Sequence, residues 1–158
     1  MSSPLVPDNQ SDEAFSGFLV DVACEINADY SGVVLSRDGL ESAICAPFQG
    51  FGGEPRFKSP YDVAAALLIN VATGHHFQDG NKRTALVLAV YYLQRHKIKV
   101  IPQSQEKGAK LVEDVVKEKE IPYEKRRESV RSKLQEWTVI DQTARDHRAH
   151  MDNLRTSK

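Results

Sequence analysis

The stretch SPYDVAAALLINVATGHHFQDGNKRTALVLAVYYLQR, residues 59–95, decides the fold class. Ser59 can cap a helix, Pro60 suits the first helical position, and Asp62 falls in the positive first turn. The apolar run through DVAAALLINVAT carries that helix on, and Gly74 reads as the left-handed residue that often closes one. HHFQDGN is too polar and glycine-broken to extend it. A new helix starts at or after Asn81, because Ala85, Leu88, Ala89, Tyr92 and Leu93 return at helical spacing. Arg95, His96 and Lys97 lie near its negative end.

Outward from this pair the chain stays helical. Phe15, Phe18, Leu19, Val22, Ala23 and Ile26 share one helical face, which is core. SRDGLESAICA predicts a short helix capped by Ser36, lined by Leu40, Ala43 and Ile44 and ended by Pro47. Residues 105–120 and 123–138 read as two charged amphipathic helices split by Pro122, with Leu111, Val115, Val130, Leu134 and Trp137 turned inward. IKVIP is at most a short extended link, and strand signals are nearly absent, so the class is all-α: a compact helical bundle. Its domain spans residues 13–140. Residues 1–12 read as a flexible N-terminal tail and residues 141–158 as a polar C-terminal tail.

Composition bounds the function. The 158 residues carry 27% charged and 41% hydrophobic side chains with a formal net charge of -1, which describes a soluble domain with no basic field for nucleic acid. The opening MSSPLVPDNQSDE lacks the charged-then-apolar layout of a signal peptide and no apolar run is long enough for a membrane span, so a cytoplasmic location is expected. Cys24 and Cys45 have no CxxC partner and read as buried reduced thiols.

Chemistry concentrates in GHHFQDGNKRTAL, residues 74–86. A loop that opens a helix presents unpaired N–H groups and a positive dipole end to an anion. Lys82 and Arg83 add cations there, Arg as a two-nitrogen phosphate clamp and Lys as a point charge. Asn81 caps the helix or donates to a phosphate oxygen, and Gly80 lets backbone approach the ligand closely. Asp79 is a hard oxygen ligand suited to Mg²⁺ on that phosphate. His75 can take the proton from an attacking hydroxyl, and the Phe77 ring can pin the loop to the core. A P-loop is excluded, since Gly74 and Gly80 are six apart and Asn81 intervenes before Lys82. A zinc site on His75, His76 and Asp79 is short of ligands, and the plain alternative is a capped helix junction with solvated charges. PFQGFGGEPRFKSP reads as an exposed glycine-rich loop bearing Phe48, Phe51 and Phe57.

HHFQDGNKR resembles the signature of Fic/Doc proteins: His, any residue, Phe, any residue, Asp or Glu, Gly or Ala, Asn, Gly or Lys, Arg. RDGLESAICAP is similar to a stretch of the death-on-curing (Doc) branch, and with the helical layout the resemblance covers roughly residues 13–138. It implies a protein-modifying transferase with ATP as substrate and Mg²⁺ bound. His75 would be the general base, Phe77 the anchor, Asp79 the magnesium ligand, and Gly80, Asn81, Lys82 and Arg83 the phosphate site. Phe48, Gly50, Phe51, Gly52 and Gly53 would lie in the flap that docks an extended target segment by strand addition.

Three residues bear on the branch. Nucleotidyl-transferring relatives have Gly where this chain has Lys82, and a second Arg where it has Leu86; both differences point to Doc, whose reversed nucleotide delivers the gamma phosphate. Gly80 points the other way, since the founding member of that branch has Ala. The resemblance therefore implies a Doc-like toxin that phosphorylates a Ser or Thr of a translation factor, as Doc proteins are understood to do to elongation factor Tu. The alternatives are AMP transfer to a protein hydroxyl and a non-catalytic nucleotide- or partner-binding module. Self-inhibited Fic proteins carry a Glu followed by Gly or Asn in an inhibitory helix; no such pair occurs here, so a separate antitoxin is expected.

Overall fold

A computed structural model describes residues 12–50 and 52–138, with the side chains of residues 12–14 left aside. Both expected tails, apart from residue 12, lie outside the described residues, as does Phe51. Six α-helices follow in order: α1 Asp12–Asn27, α2 Arg37–Cys45, α3 Pro60–Thr73, α4 Asn81–Arg95, α5 Gln105–Lys117 and α6 Tyr123–Glu136. Among the described residues no strand forms; an isolated antiparallel bridge joins Val34 to Phe77. The all-α expectation holds.

Helix α3 is the axis of the bundle, buried from Val63 to Ile69 and again at Val71 and Ala72. Being apolar all round, such a helix is stable only when surrounded. It packs against α4 most extensively, and also against α6, α5 and α2, while α1 closes over α4 and α2. The caps are as expected: Ser36 accepts from Gly39 N–H, and Ser59 accepts from Tyr61 N–H with Pro60 at the first turn. Asp62 does more than face the dipole, since Arg127 of α6 pairs with it from an almost buried position and Arg131 approaches at 3.6 Å. This ties the start of α3 to α6.

Several expectations need correction. Helix α5 stops at Lys117, because Glu118 leaves helical geometry with ψ 51, and α6 stops at Glu136. Gly74 is extended, with φ -93 and ψ 150, and not left-handed. The reason for glycine is space, because a Cβ there would lie 2.1 Å from His76 Nε2. The two thiols are free but only half-buried. Burial pushes the Cys24 thiol up, while the Arg37 guanidinium pulls it down.

The glycine-rich loop is less exposed than its composition suggests. Phe48 ends a 3₁₀ turn, Ala46–Phe48, and meets Phe15 and Tyr92 edge-on with centroids 6.4 and 5.9 Å away. Its ring is a satellite of the core, not a free docking side chain. Phe57 also packs against the core, with Arg127 stacked 4.7 Å from its centroid. Residues 49, 50, 52–56 and 58 are exposed; at the tip Gly52 and Gly53 take φ 58 and 82, and a Cβ on Gly50 would strike the Glu54 carbonyl oxygen at 2.0 Å.

Candidate active site

The junction between α3 and α4 is built from two anchors with a polar arch between them. His76 is the first, only 8% exposed, its Nε2 3.1 Å from the Asn70 carbonyl oxygen. Its own carbonyl accepts from Leu35 N–H at 2.8 Å and Ser36 N–H at 3.3 Å. Phe77 is the second, 1% exposed and among the largest fully buried side chains. Gln78 N–H then donates to the Val33 carbonyl, so residues 76–78 are held against the segment before α2. His75 is exposed while His76 and Phe77 after it are both buried.

Beyond Phe77 the chain must turn sharply into α4. Gly80 makes the turn with φ 79, and it also lies against Tyr30, whose Cβ would be 2.7 Å from any side chain added there. Two independent constraints thus require glycine. Asn81 is the first residue of α4, and its amide folds back into the loop: Oδ1 accepts from Phe77 N–H at 3.0 Å and Nδ2 donates to the Phe77 carbonyl at 2.9 Å. It does not cap the helix, but Asn81 lines the cleft and its Nδ2 has a second N–H beyond the one given to Phe77.

The start of α4 differs from those of α2, α3 and α5. Serines cap those three, whereas no side chain caps α4. Its first N–H groups stay available at the positive end of the dipole. They face a cleft of about 490 Å³ lined by Tyr30, Ala72, Gly74, His75, Gln78, Asp79, Gly80, Asn81, Lys82, Arg83 and Val116. The sequence-predicted base, carboxylate and cations therefore converge on one cavity. Phe77 lies beneath it, and Phe48, Gly50, Gly52 and Gly53 are not among its lining residues.

The charged groups are open for ligand. No hydrogen bond or ion pair among the described residues engages the His75 ring or the Lys82 ammonium. The Arg83 guanidinium sits over the Tyr30 ring, 5.7 Å from its centroid, which orients the cation without neutralising it. Asp79 accepts one hydrogen bond, from Gly80 N–H to Oδ1 at 2.8 Å, and pairs with no cation among the described residues. An exposed, unpaired carboxylate beside the Lys82 and Arg83 cations fits Mg²⁺, which is commonly held through one or two carboxylates plus phosphate oxygens. Among the described residues no group of three or more His, Cys, Asp or Glu gathers, so the donor set does not suit a protein-only metal cage. Leu86 is one turn on from Lys82 and lies against Gly108 of α5, where an added Cβ would be 2.9 Å from Leu86 Cδ2. That position belongs to the helix interface.

Three contributors escape a reading of the sequence. Tyr30, just past the end of α1, lines the cleft, and Asn27, the buried last residue of α1, supports it from behind by donating to the Asp79 carbonyl, 52 residues away along the chain. Val116 comes from α5. No local pattern marks any of them.

A family profile for the Fic/DOC family matches residues 13–93, just over half of the chain. Over 66 residues the chain is 35% identical to the protein kinase doc of Escherichia phage P1, covering 42% of this chain and 52% of that one. The chain thus spans about half the length of that curated relative. The matched region runs from α1 through α4 and contains the arch, the uncapped helix start and all of HHFQDGNKR; the chain belongs to the Fic/DOC family.

Proposed function

We propose that this chain is a Doc-like toxin that transfers the gamma phosphate of ATP to a Ser or Thr hydroxyl of another protein. The observation that carries the reading is the convergence of His75, Asp79, Lys82, Arg83 and the uncapped start of α4 on one cleft. The N–H groups of α4 and the Lys82 and Arg83 cations hold the phosphates. His75 Nδ1 or Nε2 removes the proton from the target hydroxyl as its oxygen attacks the gamma phosphorus, the bond to the beta-gamma bridging oxygen breaks, and ADP leaves. Asp79 would hold Mg²⁺, which would supply charge neutralisation to the triphosphate.

Lys82 favours the terminal phosphate. A long cation at that position fills space where nucleotidyl-transferring relatives have bare backbone, and Leu86 supplies none of the charge of their second Arg. Gly80 does not weigh against this reading, because left-handed geometry and the Tyr30 contact account for it locally. The target is a translation factor, with elongation factor Tu the leading candidate, and a separate antitoxin holds the enzyme in a cytoplasmic setting. Among the described residues no helix is long and apolar enough to cross a membrane.

The test is incubation of the full chain with Mg²⁺, ATP and a cell lysate, followed by mass spectrometry of modified proteins. A hydroxyl carrying phosphate supports the proposal. A hydroxyl carrying AMP would make the chain a nucleotidyl transferase, and no adduct at all would leave it a binding module.

A further inference from the structure

Asn27 ends α1 and is fully buried, yet it belongs to no hydrophobic contact that needs an amide. Its bonds all lead to the phosphate-binding turn or to the segment that supports it. Nδ2 donates to the Asp79 carbonyl at 2.8 Å and to Thr84 Oγ1 at 3.2 Å. Oδ1 accepts from Ser31 Oγ at 2.9 Å and from Gly32 N–H at 3.1 Å. Ser31 Oγ in turn lies 3.2 Å from the same Asp79 carbonyl.

One buried amide therefore joins the carbonyl of the carboxylate-bearing residue to the first turn of α4. Asp79 precedes Gly80 and Thr84 follows Arg83, so the two bonds bracket the turn on which the phosphate groups are mounted. A glycine turn with φ 79 is permissive by itself, and bracketing it from a different helix removes that freedom. The upstream half of the arch does not depend on Asn27. His75 is placed by the anchors His76 and Phe77, whose partners are Asn70, Leu35, Ser36 and Asn81.

We infer that Asn27 is a positioning residue that sets the Asp79 carboxylate against the start of α4, and so governs how the site takes a magnesium-bound nucleotide triphosphate. The inference rests on the proposed use of ATP. Asn27→Asp keeps the shape and the acceptor for Ser31 and Gly32 but, when ionised, cannot donate to Asp79 or Thr84.

Calorimetric titration of the full chain with ATP, once with Mg²⁺ and once with a chelator, reads the effect directly. Wild type should bind more tightly with Mg²⁺, and a folded Asn27→Asp variant should lose that gain by about tenfold or more, with a smaller change in the chelator. A general loss of structure would weaken both titrations alike and overturn the inference, as would a variant whose Mg²⁺ gain equals that of wild type. Wild-type protein that binds no ATP would instead sink the functional proposal on which the inference rests. Should Asn27→Asp not fold by circular dichroism, Ser31→Ala removes an outer hydroxyl of the same latch. A Mg²⁺ gain reduced about threefold in that variant supports the positioning role, and an unchanged gain contradicts it.

Discussion

Asn81 folds back on Phe77, giving and taking a hydrogen bond with the same backbone unit at 2.9 and 3.0 Å. The Asn81 side chain is thus a staple between the buried anchor and the start of α4. Asn81→Asp keeps the acceptor for Phe77 N–H but places a carboxylate against the Phe77 carbonyl. We predict a loss of roughly 1–3 kcal/mol of stability and weaker ATP binding. Chemical denaturation and nucleotide titration check the two parts, and wild-type values in both would show that the staple is dispensable.

The adjacent histidines should behave oppositely. His75 is exposed, so His75→Ala should leave the melting temperature within a few degrees while lowering transfer on the order of 10²–10⁴-fold. His76 is buried and bonded to Asn70, so His76→Ala should cost about 2–4 kcal/mol and lose activity only through the fold. Full transfer by His75→Ala would remove the proposed base.

Gly80→Ala meets two penalties, a left-handed backbone and a Tyr30 Cβ 2.7 Å away. The backbone part is about 1–2 kcal/mol. Tyr30→Gly, which removes both the Cβ and the ring carbon that crowd the position, should relieve the steric part, so the double variant should be more stable than the sum of the singles predicts. Strict additivity in thermal melts would show that Tyr30 does not press on the turn.

Tyr123 supplies a pH test away from the cleft. Burial pushes its phenol above the ordinary value of 10.0, offset in part by Arg56 and Arg127, and its hydroxyl donates to Asn70 Oδ1. A raised folded-state value means this contribution is complete below the unfolded value and is lost as pH rises through the folded one. Tyr123→Phe should therefore flatten the alkaline decline in stability while leaving neutral pH little affected. An identical decline in both proteins would assign it elsewhere.

What could be read from the sequence follows from which interactions are local. Helix caps at Ser36 and Ser59, the apolar stripes of α4 and α6, and the grouping of residues 75–83 all depend on neighbours within a turn or two. Each is where it was expected. The failures are contacts set by packing. Gly74 is glycine because the His76 ring occupies its side-chain space, and Phe48 is half-buried because Phe15 and Tyr92 receive it. Asn27 could not be found at all, since its role exists only once α1 lies across the start of α4.

The central claim is that the terminal phosphate moves and that Lys82 helps select it. The most direct measurement compares ATP labelled at the gamma position with ATP labelled at the alpha position, each incubated with the chain, Mg²⁺ and a lysate. Gamma label should appear on a target protein and alpha label should not, and Lys82→Gly should lower gamma transfer by about tenfold or more. Transfer of the alpha label would contradict the account and identify nucleotidyl transfer, and undiminished gamma transfer by Lys82→Gly would remove Lys82 from the choice.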